Sequence, residues 1–159
     1  KISRYNLYLD ESNTTDLNEI RAKCKKLKRE NKLDLIIVDY LQLLNVGQRN
    51  NRVEEVGMIS RGLKVLAKEL EVPVLALSQL SRSIEGRTDK RPVLSDLRES
   101  GSIEQDADIV MFLSREMRPD PETKVQNNLT ELIIAKNRQG MTDSIELLFK
   151  GAYSSFVLK

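Results

Sequence analysis

The chain has 159 residues, 40% of them apolar and 31% charged, with a net charge of only +2. That length suits one ordinary domain with a sizeable core, and the near-neutral balance excludes polyanion binding by bulk charge, leaving local clusters of Lys and Arg as the route to nucleic acid. One cysteine, Cys24, excludes an internal disulfide; the absence of His removes the usual general base and the commonest metal ligand.

Aromatic residues are scarce and Trp is absent, so the core must be aliphatic. No apolar run is long enough to span a bilayer, and the opening Lys-Ile-Ser-Arg-Tyr has no apolar signal core. The expectation is a cytoplasmic protein with no membrane partner.

Tyr5 to Leu9 reads as a short strand, followed by a polar loop through Thr15. Thr15 or Asp16 is placed to cap a helix, with Glu19 placed to complete a capping box. Leu17, Ile20, Cys24 and Leu27 recur at helical spacing, and this puts Cys24 on the apolar side as a buried thiol. Lys23, Lys25, Lys26, Lys28 and Arg29 crowd the other positions; such a face is commonly just solvated, and nucleic-acid contact is the alternative.

Leu35-Ile-Ile-Val-Asp39 is a short aliphatic run that meets an acid. It predicts a strand buried on both faces, as in a helix-covered parallel sheet. Open α/β sheets bind ligands at the carboxyl ends of such strands. Asp39 therefore stands where a carboxylate can hold Mg²⁺ through water, although a residue that merely ends the strand satisfies the pattern equally.

The apolar Leu41 to Leu44 leads into a polar, basic, glycine-bearing loop over residues 45–52 that contains Arg49 and Arg52. Val53, Val56, Ile59, Leu63, Leu66 and Leu70 mark a long amphipathic helix. Gly57 and Gly62 lower its intrinsic propensity and predict close packing contacts. A strand over residues 74–78 then delivers Gln79 to the same carboxyl edge, where a turn residue is the plainer alternative.

Residues 82–108 form a long polar segment holding Arg82 and Arg98. A short helix is predicted over residues 93–99, then a Ser-Gly-Ser break whose backbone N–H groups suit either a phosphate or an ordinary turn. Residues 108–113 predict another buried strand, residues 115–128 an exposed connection, and residues 129–136 a strand leading to Arg138. Residues 144–149 and 153–158 predict antiparallel hairpins that extend the same sheet.

These pieces together resemble one family. Leu35-Ile-Ile-Val-Asp39-Tyr-Leu-Gln-Leu-Leu44, Ile59-Ser-Arg-Gly-Leu-Lys-Val-Leu-Ala-Lys-Glu-Leu70, Leu77-Ser-Gln79-Leu-Ser-Arg82, Ser95-Asp-Leu-Arg98-Glu-Ser-Gly101-Ser-Ile-Glu-Gln-Asp-Ala-Asp108 and Ile134-Ala-Lys136-Asn-Arg138-Gln-Gly140 look like the bacterial replicative DNA helicases of the DnaB type. The likeness runs through nearly the whole chain, in the family's order and spacing.

The resemblance implies an α/β, RecA-like ATPase fold: a mostly parallel sheet flanked by helices, with antiparallel strands added at the carboxyl end. It implies ATP and Mg²⁺ as cofactors and a homo-hexamer around single-stranded DNA, with primase and a helicase loader as further partners. Asp39 matches the Walker B acid that holds Mg²⁺ through water, and Gln79 the residue that senses the γ-phosphate. Lys136 and Arg138 match hairpin residues that reach into the neighbouring subunit's nucleotide site, Arg138 as the arginine finger. Arg98, Glu99 and Gly101 match a loop gripping DNA phosphates; Arg82, Arg49 and Arg52 are the further DNA-facing candidates.

One departure stands out. The chain contains no Gly-x-x-x-x-Gly-Lys-Ser/Thr, so residues 1–159 are expected to be a partial RecA-like helicase domain, truncated on its N-terminal side and lacking the phosphate-cradling loop. Alone, it is expected to hydrolyse ATP negligibly. Two rival readings are a non-catalytic DNA-binding or assembly module and a RecA-like recombinase core.

Overall fold

A computed structural model describes residues 5–12, 15–47, 51–97, 101–115 and 128–159. The chain divides into two compact units, one built from residues 1–80 with 99–106 and the other from residues 81–98 with 107–159.

In the first unit, α1 spans Leu17–Arg29, α2 Arg52–Leu70 and α3 Gly101–Asp106, around the parallel strands β1 (Ile36–Val38) and β2 (Val74–Ala76). Asp16 caps α1 by accepting the Asn18 N–H at 2.7 Å, and Asn51 caps α2 by accepting the Val53 N–H at 3.0 Å. The helical spacing read from the sequence holds. Val56, Ile59, Leu63, Leu66 and Leu70 are buried along one face of α2, while Val53 is exposed. They pack with Leu17 and Cys24 of α1 and with Leu33, Ile36, Val38 and Leu41 in one aliphatic core. Burial pushes the Cys24 thiol up from its ordinary value, and the charge of Asp10 adds to this.

Both helix glycines sit at contacts. A Cβ on Gly57 would meet Ser102 of α3, and one on Gly62 would run into a methyl of Leu17. The predicted reason for two poor helix formers in α2 is therefore the observed one.

In the second unit, β3 (Ile109–Arg115), β4 (Leu129–Asn137), β5 (Asp143–Lys150) and β6 (Ser155–Leu158) form one antiparallel sheet in chain order. Phe112 faces Ile133 across β3–β4, and Phe149 faces Phe156 across β5–β6. A shift in register between Val110 and Met111 kinks β3 where it meets the end of β4. Val110, Phe112, Thr130 and Ile133 are buried, along with Asp96 and Leu97 from the segment preceding the sheet.

Four expectations change. Residues 5–9 form no strand; their side chains are exposed and no sheet partner is present among the described residues. β1 is covered on one face only, with Ile36 and Val38 buried and Ile37 57% exposed. A run of consecutive aliphatic residues fixes the strand but not which of its faces finds a cover. β3 likewise alternates, since Ile109, Met111 and Leu113 are exposed. The hairpins do not extend the parallel sheet: hydrogen bonding divides the described strands into a parallel pair and a four-stranded antiparallel sheet that includes β3. A parallel pair with helices and an antiparallel carboxyl-terminal sheet is nonetheless the arrangement of a RecA-like α/β fold.

Candidate functional site

The first unit brings Asp39 and Gln79 to one edge. β1 and β2 are adjacent and parallel, with Val38 opposite Ala76, so their carboxyl ends coincide. The pairing continues past the strands: the Leu77 N–H donates to the Val38 carbonyl at 2.9 Å, and the Leu41 N–H to the Leu77 carbonyl at 2.8 Å. Asp39 and Gln79 follow directly, and both are exposed. The Asp39–Tyr40 peptide bond is cis.

Gln42 orders this rim. Its side-chain amide donates to Ser78 Oγ at 2.9 Å and to the Gln79 carbonyl at 3.3 Å, while its Oε1 accepts the Gln79 N–H at 3.2 Å. The Gln79 main chain is thus held on both its polar groups, and its own side chain is left to project. Nothing in the sequence reading singled out Gln42. The only signal there was a polar residue interrupting the apolar stretch Leu41 to Leu44.

Among the described residues, no group of three or more His, Cys, Asp or Glu is assembled to cage a metal ion. Asp39 enters no hydrogen bond or ion pair within the described residues. A single exposed carboxylate of this kind suits Mg²⁺, a hard cation that keeps several waters and relies on one or two carboxylates together with phosphate oxygens. The donor set fits Mg²⁺ held through water beside a nucleotide, and does not fit a metal bound by protein ligands alone.

The DNA-facing candidates fare differently. Arg49, Arg98 and Glu99 lie outside the described residues. Gly101 is exposed at the first position of α3. Arg52 begins α2, and its guanidinium already donates to the Glu55 carboxylate and to the Gln42 carbonyl. With five N–H donors, Arg52 keeps others for an external acceptor.

In the second unit, Lys136 is half-buried near the end of β4, opposite Val110. Arg138 is the first residue beyond the strand. Its N–H donates to the Asp108 carbonyl at 2.9 Å, and its guanidinium lies 3.6 Å from the Asp108 carboxylate. Asn137 braces the turn that follows, donating to the Met141 carbonyl at 3.3 Å and accepting the Gln139 N–H at 3.3 Å. Arg138 therefore projects from a supported turn. The sequence assigns neither Asn137 nor Asp108 a role at the site, because their roles depend on how β3 and β4 meet.

Arg82 opens a 3₁₀ turn over residues 82–86, exposed and without a partner among the described residues. The segment it begins is tied down at Asp96. This buried carboxylate accepts the Val93 N–H and Arg87 Nη2, each at 2.8 Å, and the Asp96 carbonyl accepts the Ser81 N–H at 2.8 Å. Arg91 makes a bidentate pair with Glu131 of β4, at 3.0 and 2.7 Å, which holds the Glu131 carboxyl below its ordinary value.

Comparison with known proteins identifies the family. Residues 1–158 match the family model of the DnaB-like helicase C-terminal domain. The chain is 52% identical over 160 residues to the replicative DNA helicase DnaB of Geobacillus stearothermophilus, covering 98% of this chain and 35% of that protein. It is 52% identical over 158 residues to the replicative DNA helicase DnaC of Bacillus subtilis (strain 168), with the same coverage. The chain thus spans about a third of the length of these curated relatives. Among solved structures, a DnaB-like replicative helicase, described with its interactions with primase, superposes with a TM-score of 0.87 at 45% identity, over 98% of this chain and 38% of that one. A second solved structure, of an ATPase domain, superposes with a TM-score of 0.90 at 44% identity, over 99% of this chain and 56% of that one. Sequence and fold concur: the chain belongs to the DnaB-like helicase C-terminal domain family.

Proposed function

We propose that this chain is the nucleotide- and DNA-handling part of an ATP-driven replicative DNA helicase, a partial RecA-like domain that works in a homo-hexamer around single-stranded DNA. The observation that carries the reading is the common rim of Asp39 and Gln79 at the carboxyl ends of adjacent parallel strands. Asp39 would hold Mg²⁺ through water, and Gln79 would place its amide beside the γ-phosphate, able both to donate and to accept. Bound ATP·Mg²⁺ supplies the phosphoryl group and the cation that offsets its charge.

Lys136 and Arg138 would serve the nucleotide site of the adjacent copy. An arginine is protonated at any working pH and presents a fixed fork of donors, which suits it to neutralising charge where a phosphoryl oxygen leaves. Arg82, Arg98 and Arg52, with Arg49, Glu99 and Gly101, would line the DNA path, the cations gripping phosphates without regard to sequence and with strong salt dependence. Primase and a helicase loader are the proposed protein partners. The absence of a glycine-rich phosphate loop from these 159 residues favours one qualification: the chain alone would act as a non-hydrolysing module.

Subunit mixing tests the arrangement in the full-length gene product that carries this sequence. Asp39→Asn and Arg138→Ala are each expected to abolish Mg²⁺-dependent ATP hydrolysis. Mixed before assembly, they should regain part of it, because some interfaces then pair an intact Asp39 with an intact Arg138. Mixed rings as inactive as either parent would overturn the shared-site reading.

A further inference from the structure

Gln42 occupies a position that the proposed nucleotide chemistry does not yet use. It sits three residues beyond Asp39, in the 3₁₀ turn over residues 41–43. Its side chain engages the main chain of Gln79 through both an N–H and a carbonyl, at 3.2 and 3.3 Å. This is the two-sided pairing that one peptide group makes with another across a sheet, performed here by a side-chain amide. Any displacement of Gln79 along its chain must carry Gln42 with it or break both bonds.

The other end of Gln42 leads elsewhere. Its main-chain carbonyl accepts from the guanidinium of Arg52, the first residue of α2, and Glu55 one turn on holds the same guanidinium. Arg52 is one of the residues proposed above to meet DNA. A continuous hydrogen-bonded path therefore runs from the Gln79 main chain through the Gln42 side chain, the Gln42 carbonyl and Arg52 to the start of α2. Such a path carries coupling only if its members shift together.

Resting on the helicase reading above, we infer that Gln42 is a positioning residue that links the state of Gln79 to Arg52 at the start of α2. It fixes where Gln79 stands and passes a change there to Arg52. Ser78 is a side branch: its hydroxyl bonds to Gln42, but it does not lie on the path between Gln79 and Arg52.

The test is a binding measurement, independent of turnover. In the full-length gene product, the affinity for a fluorescent oligothymidylate is measured with and without a non-hydrolysable ATP analogue. The ratio of the two is the coupling, expected to be about tenfold in the unaltered protein. Gln42→Met preserves the length of the side chain and removes its polar atoms. It is expected to bring the ratio close to one while affinity for the analogue itself changes by less than about twofold. Ser78→Ala should leave the ratio intact. Arg52→Met should also lower it, while the Gln79 amide stays protected from hydrogen exchange.

A ratio unchanged in Gln42→Met overturns the inference. If that variant does not fold, the unaltered protein decides: a Gln79 amide that exchanges freely shows that the Gln42 clamp is not made, and the inference fails. Gln79→Ala separates the two levels of the argument. Coupling lost with Gln79→Ala but kept with Gln42→Met defeats the role of Gln42 alone; coupling kept with Gln79→Ala defeats the sensor reading, and the Gln42 inference with it.

Discussion

Asp108 engages Arg138 twice, through its carbonyl to the backbone N–H at 2.9 Å and through its carboxylate to the guanidinium at 3.6 Å. The first contact fixes where the chain leaves β4, and the second draws the side chain toward the start of β3. Both groups are about half exposed, so the ion pair itself adds little to stability. Its value is orientation. If Arg138 acts on a neighbour's γ-phosphate, Arg138→Ala should lower the rate of hydrolysis by about 10³-fold or more, and nucleotide affinity should stay within a few fold. Equal losses of binding and turnover in steady-state and equilibrium titrations would assign Arg138 to holding the nucleotide instead.

Gly57 and Gly62 lie five residues apart on α2, and the same substitution should act oppositely at the two. A Cβ at Gly57 would meet the Ser102 hydroxyl, a group that turns aside easily. Gly57→Ala should therefore be neutral or stabilising by up to about 1 kcal/mol, the gain in helix propensity. A Cβ at Gly62 would strike a methyl of Leu17, itself buried against the core. Overpacking of that kind costs about 1–3 kcal/mol, more than the propensity gain, so Gly62→Ala should destabilise. Urea unfolding of the two variants gives the comparison; equal midpoints would show that Leu17 moves aside freely.

The helices were legible because their signals are local: a cap at Asp16, a 3.6-residue repeat of aliphatic side chains, and glycines that needed a packing reason. The shared edge of Asp39 and Gln79 was legible for a similar cause, since two aliphatic runs each ending in a polar residue fix two strand ends. What the pattern does not encode is partner choice. Asp108 to Leu113 reads the same whether its neighbour is parallel or antiparallel, and only pairing with β4 decides it. Residues 5–9 have strand-like composition, but a strand requires a free edge to join, and none among the described residues takes them. Gln42, Asn137, Asp96 and Asp108 act on groups far off in the chain or around a turn, so their types announced nothing.

Asp96 is the buried anchor of the segment that begins at Arg82. Its carboxylate accepts from Arg87 and from the Val93 N–H, and it is almost fully enclosed, whereas Arg87 remains about one-third exposed. Removing one partner of a buried pair costs about 3–5 kcal/mol when both are enclosed; partial exposure of Arg87 lowers the expectation to about 2–3 kcal/mol for Asp96→Ala. Asp96→Asn keeps an acceptor for the Val93 N–H and should lose less. Thermal unfolding that ranks the alanine variant no lower than the asparagine variant would show that the segment is held by other contacts.

Asp10 gives the chain a titration that can be followed directly. Lys23 Nζ lies 2.8 and 3.0 Å from its two oxygens, and Ser12 donates to it from both hydroxyl and backbone, at 2.6 and 3.1 Å. The Lys23 contact, then those from Ser12, hold the carboxyl down from 3.8 to about 2. A carboxyl depressed in the folded state binds its proton more weakly there than in the unfolded chain. Its contribution is therefore complete above the ordinary value of 3.8 and is lost as pH falls through about 2. The site is fully exposed, so the signal to follow is the group's own titration rather than global unfolding. The ¹³C shift of the Asp10 carboxyl should show a midpoint of about 2, moving back toward the ordinary range in Lys23→Met and only partly back in Ser12→Ala. A midpoint in the ordinary range for the unaltered chain would mean that the 5–12 segment does not rest on α1 in solution.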